Sequence, residues 1–490
     1  MQFKIEIEII NGAKFSINEF KLRNNKINFL FGESGIGKTL ICKALLGLLN
    51  DDEYIVNIDD EPYLEYLKLP GVKDVVSKSF YAFQEPSGHL SPVLKIGQQM
   101  YEGSLKESKE TKDILSGLFP EIKQNELDAL LNLYPKPFRP SGGEKQRFID
   151  AMGIVKLSAL IRGTAWNGLF VFDEPTGHLD QKKRDDFIHQ LLFYYVKDRP
   201  TIVFITHDYS ILSMLEEKYK SLKKQFVYHE IFQNREKLEQ REFSERMYFQ
   251  WMNREKRKKK PASGIETVLK VNSGIEVFGN RLRFFSDKNH KKETELVLRK
   301  GEIVYLKAPS GVGKTTVAKI LLGLIKAKFN YEISGITINN DTPHSFIAEN
   351  IWGKKITMAF QHADECLNQN ATVLGTFQAI TKDKNQFVSQ ILELFPHSNI
   401  EELFEKKIKQ LSGGEKQKIN LLRSLLVNAD ITILDEPVSG MDLTGVNKII
   451  SFIRKLLSEG KTFLLISHSE DIFSTIVRQK NIFYLKREVG

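Results

Sequence analysis

Two lysines, each preceded by glycines and followed by a hydroxyl, have the plainest chemical purpose in this sequence. The first stands in Gly32-Glu33-Ser34-Gly35-Ile36-Gly37-Lys38-Thr39, and the second in Ala308-Pro309-Ser310-Gly311-Val312-Gly313-Lys314-Thr315, followed by Thr316. Glycines let a backbone wrap an anion, a following helix offers its free amides, the lysine neutralises outer phosphates and the hydroxyl reaches Mg2+. That is chemistry for a nucleoside triphosphate. Ala308 replaces the first glycine, and so small a residue is tolerable where Gly311 and Gly313 still make the turn.

Paired acids end two apolar runs, Phe170-Val171-Phe172-Asp173-Glu174 and Ile431-Thr432-Ile433-Leu434-Asp435-Glu436. Two carboxylates at the end of a buried strand are costly without a metal or cation nearby. The first acid of each pair, Asp173 or Asp435, suits a Mg2+ held through water. The second, Glu174 or Glu436, suits a general base that orients or deprotonates the attacking water. His207 and His468 follow two more apolar runs, 201–206 and 462–467. A histidine in such a place can equally be structural; its repetition at matched distance favours a contact to the γ-phosphate.

These motifs recur in the same order, so the chain is an internal repeat of about half its length. From Lys38 to Gln84 is 46 residues and from Lys314 to Gln361 is 47; from Asp173 to His207 is 34 and from Asp435 to His468 is 33. One interval differs. Ser141 to Asp173 spans 32 residues and Ser412 to Asp435 only 23, which places nine extra residues around Leu160 to Asn167.

The elements that must position this chemistry can be read from local pattern. Residues 26–31 and 303–307 read as buried strands leading into the glycine-rich loops, and 40–49 and 316 onward as apolar helices. Between the halves, 233–263 is polar and highly charged and ends in a basic run before Pro261-Ala262-Ser263. It reads as a linker, with domains expected over 1–232 and 264–490. Residues 235–255 could form a charged helix with Phe243, Met247, Tyr248 and Trp251 on one side.

The 490 residues, 41% hydrophobic and 27% charged, describe a globular protein of more than one domain. No apolar stretch reaches about 18 residues, so no membrane-spanning helix is expected, and the start of the chain reads as a strand instead of a signal peptide. Cys42 and Cys366 are solitary, without a disulfide framework or a cluster site. A reduced cytoplasmic setting fits. Segment 233–260 carries ten basic and five acidic residues, supplying +5 of the formal charge of +9.

Ser141-Gly142-Gly143-Glu144-Lys145-Gln146-Arg147 and Leu411-Ser412-Gly413-Gly414-Glu415-Lys416-Gln417 resemble the signature motif of ABC ATPases, a resemblance covering nearly the whole chain outside the linker. It implies an α/β fold of two ABC-type P-loop nucleotide-binding domains, each with a RecA-like core, an antiparallel β edge and a helical subdomain. It also implies ATP and Mg2+ as cofactors and an intramolecular pseudo-dimer in which each signature completes the other half's site. One site would combine Lys38, Thr39, Gln84, Asp173, Glu174 and His207 with Ser412, Gly413 and Gly414. The other would combine Lys314, Thr315, Gln361, Asp435, Glu436 and His468 with Ser141, Gly142 and Gly143. Gln84 and Gln361 would join the two threonines and aspartates as Mg2+ ligands, and Asp180 and Asp442 match the family's D-loop. Pro140, in place of the usual leucine, removes an amide before the first signature. Phe15 and Phe285 are candidates for stacking on adenine, with core packing as the alternative.

What the ATPase drives is read from the segments after Gln84 and Gln361. Residues 83–97 and 360–373 resemble those of the peptide and nickel importer subfamily, although Gln369 replaces a proline and neither half carries that subfamily's proline-rich tail. This resemblance implies a peripheral protein on the cytoplasmic face of the membrane, docked on two integral permease subunits and served by an extracytoplasmic binding protein, with no nucleic acid partner. Two alternatives stay open. One is a translation-factor type of tandem ABC protein acting on ribosomes, favoured by Gly177-His178-Leu179-Asp180 and the basic linker; the other is the energising ATPase of a vitamin uptake system.

Overall fold

The computed structural model describes the chain except residues 11, 13, 101–108, 137–139, 161–167, 178, 235–236, 259–263, 310, 379, 381–383, 396–398 and 490. Ser310 and most of the nine-residue insertion therefore lie outside the described residues. The chain divides into two units, Met1–Glu245 and Arg246–Gly490.

The centre of the first unit is made by strands Ile27–Phe31, Leu169–Asp173 and Thr201–Ile205, in which every residue is buried. Parallel strands covered on both faces need such largely apolar runs, and the one buried amide among them, Asn28, donates to Arg23 O at 3.0 Å. They pair in the order Phe226–Asn234, Ile27–Phe31, Thr201–Ile205, Leu169–Asp173 and Phe80–Ala82, all in parallel. The second unit repeats the order with Ile482–Val489, Ile303–Lys307, Thr462–Ile466, Ile431–Asp435 and Ile356–Ala359. In each unit the glycine-rich loop, the paired acids, the histidine and the glutamine all leave the sheet at its C-terminal edge, where open α/β sheets bind ligands.

The β edges are built differently. In the first unit Lys237–Glu242 pairs antiparallel with Phe226–Asn234 and touches Lys14–Lys21 at Leu238 and Ile17, joining all ten strands into one sheet. In the second unit Asn280–Phe285 takes the place beside the last strand, and Thr267–Val271, Leu296–Arg299, Asn330–Ile333 and Ile336–Asn339 form a separate sheet of four. Helices pack over the signature helix in both. Arg147 of the helix Gly142–Leu160 lies over the Phe119 ring, 4.0 Å from its centroid, and donates to Leu118 O at 2.9 Å. Arg423 of Gly413–Leu426 donates to Cys366 O at 3.0 Å.

The segment expected to be a linker is largely folded. Lys237–Glu242 is a strand of the first unit, held by the buried Leu238 and by Arg241 Nε donating to the buried Glu230 at 2.7 Å. Glu245–Arg257 is a helix that buries Tyr248, Trp251, Met252 and Glu255 in the second unit. Trp251 Nε1 donates to Asn447 Oδ1 at 2.8 Å, and Glu255 faces Arg454 at 3.4 Å. Met247, expected on the apolar side, is exposed, and Phe243 packs before the helix against Phe31 and Tyr209 in the first unit. Among the described residues no helix is long and apolar enough to cross a membrane.

Candidate functional site

Each glycine-rich loop closes around its own lysine. Lys38 Nζ donates to Gly32 O at 2.8 Å and Glu33 O at 2.9 Å, and Lys314 Nζ to Ala308 O at 2.7 Å and Pro309 O at 3.2 Å. Both lysines are buried, so the loop concentrates positive charge where phosphates would enter. Gly37 and Gly313 precede the helices Lys38–Leu45 and Lys314–Leu321 with φ of 108° and 119°, a left-handed turn that needs glycine. Gly32 needs it more, since its φ is 144° and a Cβ there would stand 2.4 Å from Ile231 O. Ala308 is not among the residues with positive φ, which is why the second loop accepts a methyl group.

The hydroxyl and the first acid meet in both units. Thr39 Oγ1 donates to Asp173 Oδ2 at 2.8 Å and Thr315 Oγ1 to Asp435 Oδ2 at 2.9 Å. Burial pushes both aspartates above the usual carboxylate range. Asp173 Oδ1 is buried without a hydrogen-bond partner. A hydroxyl, a carboxylate with an unused oxygen and space for phosphates form the donor set Mg2+ prefers, one or two carboxylates with the remaining positions left to water and phosphate. Gln84 and Gln361 stand exposed two residues after the edge strands of the parallel array, and neither hydrogen-bonds the aspartate of its unit. Among the described residues no three His, Cys, Asp or Glu cluster in the manner of a protein-only metal site.

The second acids share an unusual backbone. Glu174 has φ of 49° and Glu436 of 48°, in the left-handed region that non-glycine residues seldom adopt. Their amides are tied to the neighbouring strand, Glu174 N to Ile205 O at 3.0 Å and Glu436 N to Ile466 O at 2.9 Å. Strain repeated at equivalent positions of two units is the mark of a functional constraint. Around the side chains the units differ. His207 Nδ1 lies 2.8 Å from Glu174 Oε1, whereas His468 Nε2 is 3.7 Å from Glu436 Oε1 and Ser467 Oγ donates to Glu436 Oε2 at 2.8 Å. Burial works against a charged His207, but the Glu174 carboxylate outweighs it and raises its pKa. Burial raises Glu436 to about 7, against the opposing hydrogen bonds from His468 N–H and Ser467.

Each signature serine starts a helix through a reciprocal cap. Ser141 N donates to Glu144 Oε2 at 2.7 Å and Glu144 N to Ser141 Oγ at 3.3 Å; Ser412 and Glu415 repeat this at 2.8 and 3.2 Å. A Cβ on Gly142 would meet nothing within 4 Å, so packing inside its own unit does not require glycine there. Asp180 and Asp442 cap the next helices, accepting from Lys183 N at 3.0 Å and Gly445 N at 2.7 Å.

The family model described as ABC transporter matches residues 16–176 and again 292–439. The chain belongs to the ABC transporter family. It is a tandem ABC ATP-binding protein and an ATPase, with one cassette in each unit. An uncharacterized ABC transporter ATP-binding protein, YejF of Escherichia coli, is 25% identical over 485 residues, 92% of this chain and 86% of the relative. The ribose import ATP-binding protein RbsA of Clostridium perfringens is 24% identical, over 90% of this chain and 85% of its own length. Among solved structures an RNase-L inhibitor superposes with TM-score 0.62 at 17% identity, covering 98% of this chain and 89% of that one. At that identity the likeness is one of fold.

In this ABC ATPase the adenine-stacking candidates divide. Phe15 lies 3.6 Å from where a Cβ on Gly37 would stand, beside the phosphate loop, whereas Phe285 is buried with its ring 5.1 Å from His290. Three further contacts were not anticipated from sequence pattern: Ser467 on Glu436, Tyr81 on Asp173, and Gln417 of the second signature, whose Nε2 reaches Glu436 O at 3.4 Å. Ser467 directly precedes His468, so its place beside the acid could have been suspected. Nothing in the sequence distinguishes Tyr81 from the other core aromatics.

Proposed function

We propose that this chain is the ATP-hydrolysing subunit of an importer, a peripheral protein on the cytoplasmic face of the membrane, bound to two integral permease subunits. A binding protein outside the membrane would deliver the cargo. The observation that carries this reading is the alignment over nine-tenths of the chain with a relative named for ribose import. Both cassettes keep a phosphate loop, a Thr–Asp pair and a strained glutamate, so we assign hydrolysis to both. In each site Lys38 or Lys314 steadies the phosphates, and Glu174 or Glu436 takes the proton of the attacking water. His207 and His468 would contact the γ-phosphate. Mg2+, held by Thr39 and Asp173 or by Thr315 and Asp435 with Gln84 and Gln361 alongside, would offset charge developing on the phosphates. We assign Ser141, Gly142 and Gly143, and Ser412, Gly413 and Gly414, to phosphate binding, the role the family resemblance implies for a Ser-Gly-Gly turn at a helix start.

The segments after Gln84 and Gln361 favour peptide or nickel–chelator cargo, while the relative aligned along the chain is named for ribose. We take a small sugar as the cargo, because that alignment spans both cassettes and the segments span only about fifteen residues each. The test is purification of the chain from detergent-solubilised membranes. Recovery with integral membrane proteins, and ATP turnover stimulated by ribose with its binding protein but not by oligopeptides, is expected. Sedimentation with ribosomes would overturn the importer reading in favour of the soluble translation-factor type.

A further inference from the structure

The two Mg2+-binding aspartates are not held alike. In the first cassette Asp173 Oδ2 accepts two hydrogen bonds, from Thr39 Oγ1 at 2.8 Å and from Tyr81 Oη at 2.7 Å. Tyr81 is buried in the strand Phe80–Ala82, three residues before Gln84. The equivalent place in the second cassette, three residues before Gln361, is Met358, also buried. A thioether has no proton to donate. Among the described residues Asp435 Oδ2 accepts from Thr315 Oγ1 at 2.9 Å, with no second side-chain donor on that oxygen.

We infer that Tyr81 is a positioning residue for the first ATP site, fixing Asp173 so that this cassette takes up Mg2+–nucleotide at lower Mg2+ than the second. The inference rests on the proposed Mg2+ role of the Thr–Asp pair and deepens it. Two observations stand behind it. Asp173 sits at the end of a strand with every residue buried, where a carboxylate without donors is costly. Its Oδ1 has no hydrogen-bond partner, so the side chain is oriented from Oδ2, and a second donor on Oδ2 fixes the carboxylate plane. When Thr39 turns its hydroxyl to a metal it gives up its bond to Oδ2, leaving Tyr81 as the donor that still holds Asp173 in place. In the second cassette the same turn leaves Asp435 Oδ2 without that support. A charge-assisted bond of this kind is shorter and stronger than a neutral one, and losing it from a buried carboxylate is felt at the site. A phenol is a hydrogen-bond donor at neutral pH, so Tyr81 supplies the proton of this bond.

The test uses the whole chain and a non-hydrolysable ATP analogue, titrated with Mg2+ and followed by calorimetry. The native chain is expected to show two classes of site differing in Mg2+ half-saturation. Tyr81→Phe keeps the ring and removes the hydroxyl, and Tyr81→Met installs the residue of the other cassette. Both are expected to raise the half-saturation of the tighter class about 3- to 10-fold and so merge the two classes, with the weaker class unmoved. A purely structural role would instead lower the melting temperature and leave both half-saturations in place; that result overturns the inference. If the native chain binds the analogue with no Mg2+ dependence, the metal assignment of both Thr–Asp pairs falls and this inference with it. Two unequal classes that persist unchanged in both variants overturn the inference alone.

Discussion

Glu174 and His207 form a hydrogen-bonded pair at 2.8 Å, whereas the ring of the corresponding His468 lies 3.7 Å from Glu436. The same two residue types, on the same strands of the same fold, thus reach different states in one chain. In the first cassette the carboxylate holds the imidazole and favours its charged form. In the second the carboxylate is held by Ser467 and is itself the perturbed group.

Removing the first partner should therefore be visible on the second residue. Glu174→Gln takes away the charge that raises the His207 pKa and leaves burial, which lowers it. An NMR titration of the nucleotide-free chain should show one imidazole moving to lower pH. An unchanged set of histidine titrations would contradict the pairing.

Turnover should depend on both strained glutamates. In the double variant Glu174→Gln, Glu436→Gln the rate of phosphate release should fall about 10²- to 10⁴-fold, the usual worth of a general base, while ATP binding persists. Equal loss of binding and turnover would mean that the two side chains hold the loops and do not act on water.

Stability should carry the signature of Glu436. Its pKa lies at about 7 in the folded chain against an ordinary 4.5, so the folded state binds this proton more tightly than the unfolded one. The corresponding stabilisation is fully present below about pH 4.5 and is lost as pH rises through about 7. The melting temperature of nucleotide-free Glu436→Gln should therefore gain on the native chain across that interval. Ser467→Ala, by deleting a donor that lowers the Glu436 pKa, should carry the transition to higher pH.

The two loops should differ in their tolerance of a methyl group. Gly32→Ala places a Cβ against Ile231 O in a left-handed backbone and should cost about 1–3 kcal/mol in the first unit. Ala308→Gly, with no such backbone to relieve, should change stability by under about 1 kcal/mol. Chemical denaturation of the two variants measures both.

The cassettes were legible because their chemistry is tied to short motifs at fixed intervals, and those intervals are the lengths of strands and helices that bring loops to one sheet edge. Polarity misled between residues 233 and 263. Leu238 is the single buried residue of a charged strand, and the buried face of the following helix runs Tyr248, Trp251, Met252 and then Glu255, whose charge is matched by Arg454. A glutamate in the last core position breaks the apolar pattern on which helix packing is read. Tyr81 and the unequal Glu–His distances were beyond reach for another reason. They depend on side-chain directions across neighbouring strands, which spacing along the chain does not encode.

The place where the chain changes units has a practical meaning for anyone wishing to study the cassettes apart. The natural cut is not the Pro-Ala-Ser stretch at 261–263 but the short step between the strand ending at Glu242 and the helix beginning at Glu245. A carboxy-terminal half begun after that stretch would be expressed without the indole that Asn447 accepts from and the carboxylate that Arg454 faces. Its misbehaviour in solution would then report an amputated helix, and say nothing of whether a lone cassette can fold.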